Sequence, residues 1–166
     1  MKKIYHLPFT IYQNGFTLIE LMVVLSITAV LGTLGIAGFM TYNQTQVLQS
    51  SASEVVTMLN LAKSRAQSQI KPSALCSSGT LDGYSVSVRI VQDRSYALWL
   101  KCSGLDVKIN EQDKNLPSGL RFTSSIIFFF PVQTGGVQAL GEFDISSSDG
   151  KKKTIKVNSL GGVSVQ

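Results

Sequence analysis

Apolar residues run almost unbroken from 16 to 40, FTLIELMVVLSITAVLGTLGIAGFM, and Glu20 is the one ionisable side chain among them. A run of this length crosses a bilayer core as a helix. Beyond it the apolar positions thin into a stripe. Leu48, Ala52, Val55, Val56, Leu59, Ala62 and Ala66 recur every three or four residues, with Gln49, Ser53, Lys63 and Gln67 on the other face. The spacing predicts one helix from Phe16 to about Gln69. Pro72 forbids much more, because it lacks an amide hydrogen and disfavours helical geometry at Lys71. At 1.5 Å per residue the rod is roughly 80 Å long. Its first half suits lipid, and its second half needs a protein surface to cover the stripe.

The periodicity then changes. Pro, Ser, Gly and Asp between 71 and 83 predict a loop that contains Cys76. Tyr84, Val86, Val88 and Ile90 alternate with Ser85, Ser87 and Arg89, and a strand at 96–102 follows the turn-like Gln92-Asp93-Arg94, which predicts a hairpin. The solid apolar run 126–130, closed by Pro131, reads as a strand covered on both faces and as the best candidate for the core. Strands at 140–145 and 154–157 are joined through Ser148-Asp149-Gly150, and a last short strand occupies 163–165. The expected fold class is α+β: a long N-terminal helix with an antiparallel sheet packed on its second half.

Composition sharpens this picture. Hydrophobic residues make up 44% of the 166 and charged residues only 15%, lean enough in charge that part of the chain is expected to meet lipid or a partner. Lys2 and Lys3 supply two of the net +5 charges and precede the apolar run, the asymmetry that holds an N-terminus in the cytoplasm and sends the remainder across the membrane. The two cysteines, Cys76 and Cys102, then read as a disulfide in an exported domain, the alternative being two buried thiols. Closing a loop of about 25 residues contributes on the order of 3 kcal/mol in the chain-entropy model.

An ordinary secretory signal does not fit. Its apolar stretch is shorter, carries no acid, and precedes a small-residue cleavage site. An uncleaved anchor helix explains every feature except Gln13-Asn14-Gly15-Phe16-Thr17-Leu18-Ile19-Glu20. That segment, continued as GFTLIELMVVLSI, resembles the signature of type IV prepilins and pseudopilins. The resemblance implies that prepilin peptidase cuts after Gly15, that the new N-terminal Phe16 is N-methylated, and that Glu20 serves assembly. It also implies a pilin-like lollipop fold, partners among other pilin or pseudopilin subunits, and an assembly platform in the cytoplasmic membrane. The domain expectation is a cleaved leader at 1–15, a membrane or filament-core helix at 16–41, its amphipathic continuation at 42–70 and a β-rich head at 71–166.

Physical reasoning runs alongside. A carboxylate inside an apolar helix costs several kcal/mol unless paired. Cleavage exposes an amine at Phe16 that can serve as the partner, whereas in an uncleaved anchor Glu20 snorkels to the headgroups. Gly32, Gly35 and Gly38 each weaken the helix by about 1 kcal/mol relative to alanine in water, and serve either local melting or close helix packing. The helix-end segment LNLAKSRAQSQ and the closing Gly-Gly-Val-Ser-Val are similar to the minor pseudopilin H and FimT-like family, although Gly162 and Ser164 stand where its DNA-linked arginines would be.

Chemistry is sparse. His6 is the only histidine and lies in the leader, so the mature chain lacks the imidazole of triads, most zinc sites and haem ligation through histidine. No catalytic residue, cofactor or metal is expected. Asn110, Glu111, Asp113 and Asn115 read as a solvated connecting loop rather than a calcium loop. Lys151, Lys152, Lys153 and Lys156 form either a solvated turn or a small phosphate or DNA contact. The reading is a non-enzymatic, minor pilin-like subunit of the inner membrane, single-pass with an extracytoplasmic head, later drawn into a filament. The alternatives are a type II secretion pseudopilin and a competence-type DNA-binding pilin.

Overall fold

The computed structural model describes residues 15–72, 75–77, 79–90, 94–138 and 140–166. Residues 1–14, with Lys2, Lys3 and His6, and the Gln92-Asp93 part of the expected turn lie outside the described residues. The chain divides into two compact units, Met1–Thr41 and Tyr42–Gln166.

Helix α1 covers Leu18–Gln67. It starts two residues later than the apolar pattern suggests, because Thr17 acts as its N-cap. It also stops two residues earlier than expected. Gln69 adopts a positive φ of 50°, the Ile70 amide donates to the Arg65 carbonyl at 3.1 Å, and the Gln69 amide donates to the Ala66 carbonyl at 3.2 Å. This is a Schellman closure, with glutamine where glycine is usual.

In the first unit the apolar side chains of α1 are exposed all round, from Leu18 to Met40 wherever they are described. The helix is long and apolar enough to cross a membrane. Its hydroxyls are satisfied internally. Ser26 donates to the Met22 carbonyl at 2.7 Å, Thr28 to Val24 at 2.9 Å and Thr33 to Val30 at 2.8 Å, so none presents a bare donor to hydrocarbon.

In the second unit the stripe on α1 is buried as its spacing requires: Leu48, Ala52, Val55, Leu59, Ala62 and Ala66, joined by Met58. Among the described residues, eight strands form two antiparallel sheets. Sheet A has the order β3-β2-β1-β5, built from β1 (Leu81–Val88), β2 (Ser95–Cys102), β3 (Leu105–Asn115) and β5 (Ile126–Pro131). Sheet B has the order β4-β6-β7-β8, built from β4 (Leu120–Phe122), β6 (Gly141–Ser147), β7 (Lys152–Val157) and β8 (Val163–Val165). Four aromatic rings join the sheets: Tyr96 meets Phe122 at 6.0 Å, Phe122 meets Phe143 at 6.0 Å, and Phe143 meets Phe128 at 5.8 Å. The fold class is α+β, with a long N-terminal helix and antiparallel sheets that pack on its residues from 42 onward.

Two sequence expectations need correction. The polar cluster at Asn110, Glu111, Asp113 and Asn115 is not a connecting loop but part of β3, an edge strand. Charge is how edge strands avoid pairing with other chains, and it hides the strand from an apolar pattern. The turn into β3 was readable: Ser103 and Gly104 both have positive φ, 48° and 81°, as a two-residue hairpin loop demands. Second, β5 is not covered on both faces. Phe128 and Phe130 are fully buried, but Ile127 is 61% exposed, because sheet A packs one face on the core and turns the other outward.

Candidate functional site

Gly15, Phe16 and Thr17 precede the helix in non-helical backbone, and Phe16 is 80% exposed. The Thr17 hydroxyl oxygen accepts from the Glu20 amide at 3.2 Å, while the Thr17 carbonyl accepts from the Leu21 amide at 3.1 Å. Thr17 is therefore the N-cap, and Thr17-Leu18-Ile19-Glu20 follows the capping-box pattern of a hydroxyl followed three residues later by Glu. Sequence reasoning missed this cap, although its signal is short and legible. Glu20 falls in the first helical turn, where its negative charge meets the positive end of the helix dipole. Among the described residues it has no ion-pair partner. An unhelical, accessible Gly15–Phe16 peptide bond thus precedes an acid in the first helical turn, at the start of an apolar helix.

Residues 11–36 match the prokaryotic N-terminal methylation motif. The matched span contains Gly15, Phe16 and Glu20, and the chain carries the N-terminal signature of a type IV pilin-like prepilin. The match covers 26 of the 166 residues and none of the second unit. No curated protein matches the chain, and no solved structure does.

In the second unit Cys76 and Cys102 are joined by a disulfide, with Cα atoms 6.0 Å apart. It ties the loop after α1 to the end of β2. The Tyr84 hydroxyl reinforces that junction by donating to the Ile70 carbonyl at 2.6 Å, and burial raises its pKa. Tyr96, buried beneath α1, donates to the Glu54 carboxylate at 3.2 Å, and burial followed by the Glu54 charge raises its pKa as well.

The lysine cluster is largely matched by acids. Lys151 lies 3.4 Å from Asp149, Lys152 3.3 Å from Asp144 and Lys156 3.2 Å from Glu142, which leaves little unopposed charge for phosphate. Asp113 on β3 pairs with Lys108, and no group of acids, histidines and cysteines suited to a metal occurs among the described residues.

Asp144 gives a pH prediction. The Thr154 hydroxyl donates to its carboxylate at 2.6 Å, and with Lys152 it holds the Asp144 pKa below the ordinary value of 3.8. A depressed folded-state pKa contributes stability that is present above the unfolded value and lost as pH falls through the folded one. Melting temperatures followed from about pH 6 down to about pH 2 should fall less steeply below about pH 4 in Asp144→Asn than in the parent. Parallel curves would refute that role.

Proposed function

We propose that this chain is a structural, non-catalytic subunit of a type IV pilus-like filament, of the minor pilin or pseudopilin kind. Prepilin peptidase cuts between Gly15 and Phe16, and the new Phe16 amine is methylated. The apolar part of α1 holds the subunit in the cytoplasmic membrane, with the Tyr42–Gln166 unit outside, until other pilin-like subunits and the membrane assembly platform draw it into the filament. There Glu20 pairs with the Phe16 amine of a neighbour, which sets the stagger between subunits.

One observation carries this reading: the methylation motif falls on a peptide bond that Thr17 keeps out of the helix. Proteases bind substrate in extended form, and a helical Gly15–Phe16 bond would have to unwind first. The disulfide supports export, since such bonds persist in oxidising compartments. Intact-mass measurement of the protein from its native membrane tests the proposal. The expected mass lacks residues 1–15 and carries one added methyl group; a chain that still begins at Met1 would overturn it.

A further inference from the structure

The outer faces of the two sheets differ in kind. On sheet B the outward side chains of β6 and β7 pair charge against charge, Glu142 with Lys156 and Asp144 with Lys152. On sheet A the outward row of β1 is small: Gly83, Ser85 and Ser87. Trp99 and Lys101 on β2 rise to one side of that row, and Ile127 and Phe129 on β5 rise to the other. Small residues between tall ones leave a trough of about 130 Å³, lined by Ser85, Ser87, Arg89, Trp99, Asp106 and Ile127.

Its walls are held in place. The Trp99 indole N–H donates to the Ser87 hydroxyl at 2.8 Å, and the Arg89 guanidinium lies 5.8 Å from the Trp99 ring centroid. Farther along, Lys101 stands 5.5 Å from the centre of the Phe129 ring. That ring lies so close over Gly83 that a Cβ there would come within 2.8 Å of it, and within 2.3 Å of the Phe130 carbonyl. Glycine is required for this packing.

The chemistry of the lining selects its occupant. Arg89 only donates hydrogen bonds, an ionised Asp106 only accepts them, and the two serines do both. Neither Arg89 nor Asp106 has an ion-pair partner among the described residues, and together their charges cancel. A nucleic-acid strand needs a track of unopposed cations, and Asp106 would face its phosphates. A pyranose ring satisfies both halves of the trough: its C–H face packs on an aromatic ring and an aliphatic wall, and its hydroxyls donate and accept around the rim.

We infer that the trough on the outer face of sheet A binds a pyranose ring of a glycan, with the flat face of the ring on Trp99 and Ile127 and its hydroxyls on Arg89 and Asp106. The inference stands independently of filament assembly. Trp99 is the only tryptophan in the chain, so its emission reports on the trough alone. The full-length protein, held in a detergent without a sugar headgroup, is titrated with cellotriose and with tri-N-acetylchitotriose. A saturable change in emission is expected with at least one of them. Asp106→Asn and Arg89→Gln, both at exposed positions, should each weaken it roughly tenfold while melting as the parent does. Flat emission with both sugars at tens of millimolar overturns the inference, and so does a response that neither variant changes. A saturable response to an oligothymidylate with both sugars silent overturns it in favour of nucleic acid.

Discussion

A Glu20→Leu chain is expected to lose its leader, fold its second unit and stay in the membrane, yet enter filaments at roughly a tenth of the parental level or less. In the membrane the substitution removes a carboxylate from an apolar rod, which by itself favours insertion. The loss falls on the proposed pairing with a neighbouring Phe16 amine, because removing one member of a buried ion pair leaves the other charge uncompensated, at a cost of about 3–5 kcal/mol. Leucine also surrenders the favourable interaction with the helix dipole, a smaller term of about 0.3–1 kcal/mol. Comparing sheared filaments with the membrane fraction separates assembly from insertion. Equal incorporation of Glu20→Leu and parent would remove the assembly role of Glu20 and leave the cleavage assignment untouched.

The second large effect concerns the joint between the sheets. Phe122 is buried and touches Tyr96 of sheet A edge-on, with an interplanar angle of 82°, and Phe143 of sheet B. Its strand, β4, has three residues and, among the described residues, pairs only with β6, so little else anchors it. Phe122→Ala removes a ring from a packed site that cannot collapse without moving a sheet, and it should destabilise the second unit by about 3–5 kcal/mol. Denaturant unfolding followed by Trp99 emission measures this. Ile127→Ala, at an exposed position, should change stability by only about 0.5 kcal/mol. A loss at Phe122 no larger than that at Ile127 would contradict the aromatic joint.

The parts of this architecture written in periodic burial were legible in the sequence. The stripe from Leu48 to Ala66 could be read because a helix repeats its buried face, and the β1 alternation of Tyr84, Val86 and Val88 because a strand does the same. β3 escaped because Asp106, Lys108 and Asp113 load this edge strand with charge and mask its apolar positions. β5 misled for the opposite reason. Its outward Ile127 and Phe129 are as apolar as its inward Phe128 and Phe130, so composition hid a true alternation. Gly15, Phe16 and Glu20 were legible as a contiguous motif. The trough was not, because Ser87, Trp99, Asp106 and Ile127 come from four strands and meet only through register.

The bond between Cys76 and Cys102 also has a mechanical meaning. A pull transmitted from α1 into the following chain reaches Cys76 and passes directly to Cys102, bypassing the residues between them. Those residues hold β1 and nearly all of β2, the two central strands of sheet A. For a subunit anchored at one end and loaded at the other, the middle of that sheet lies outside the line of force, and it cannot be drawn out as a thread until a covalent bond breaks.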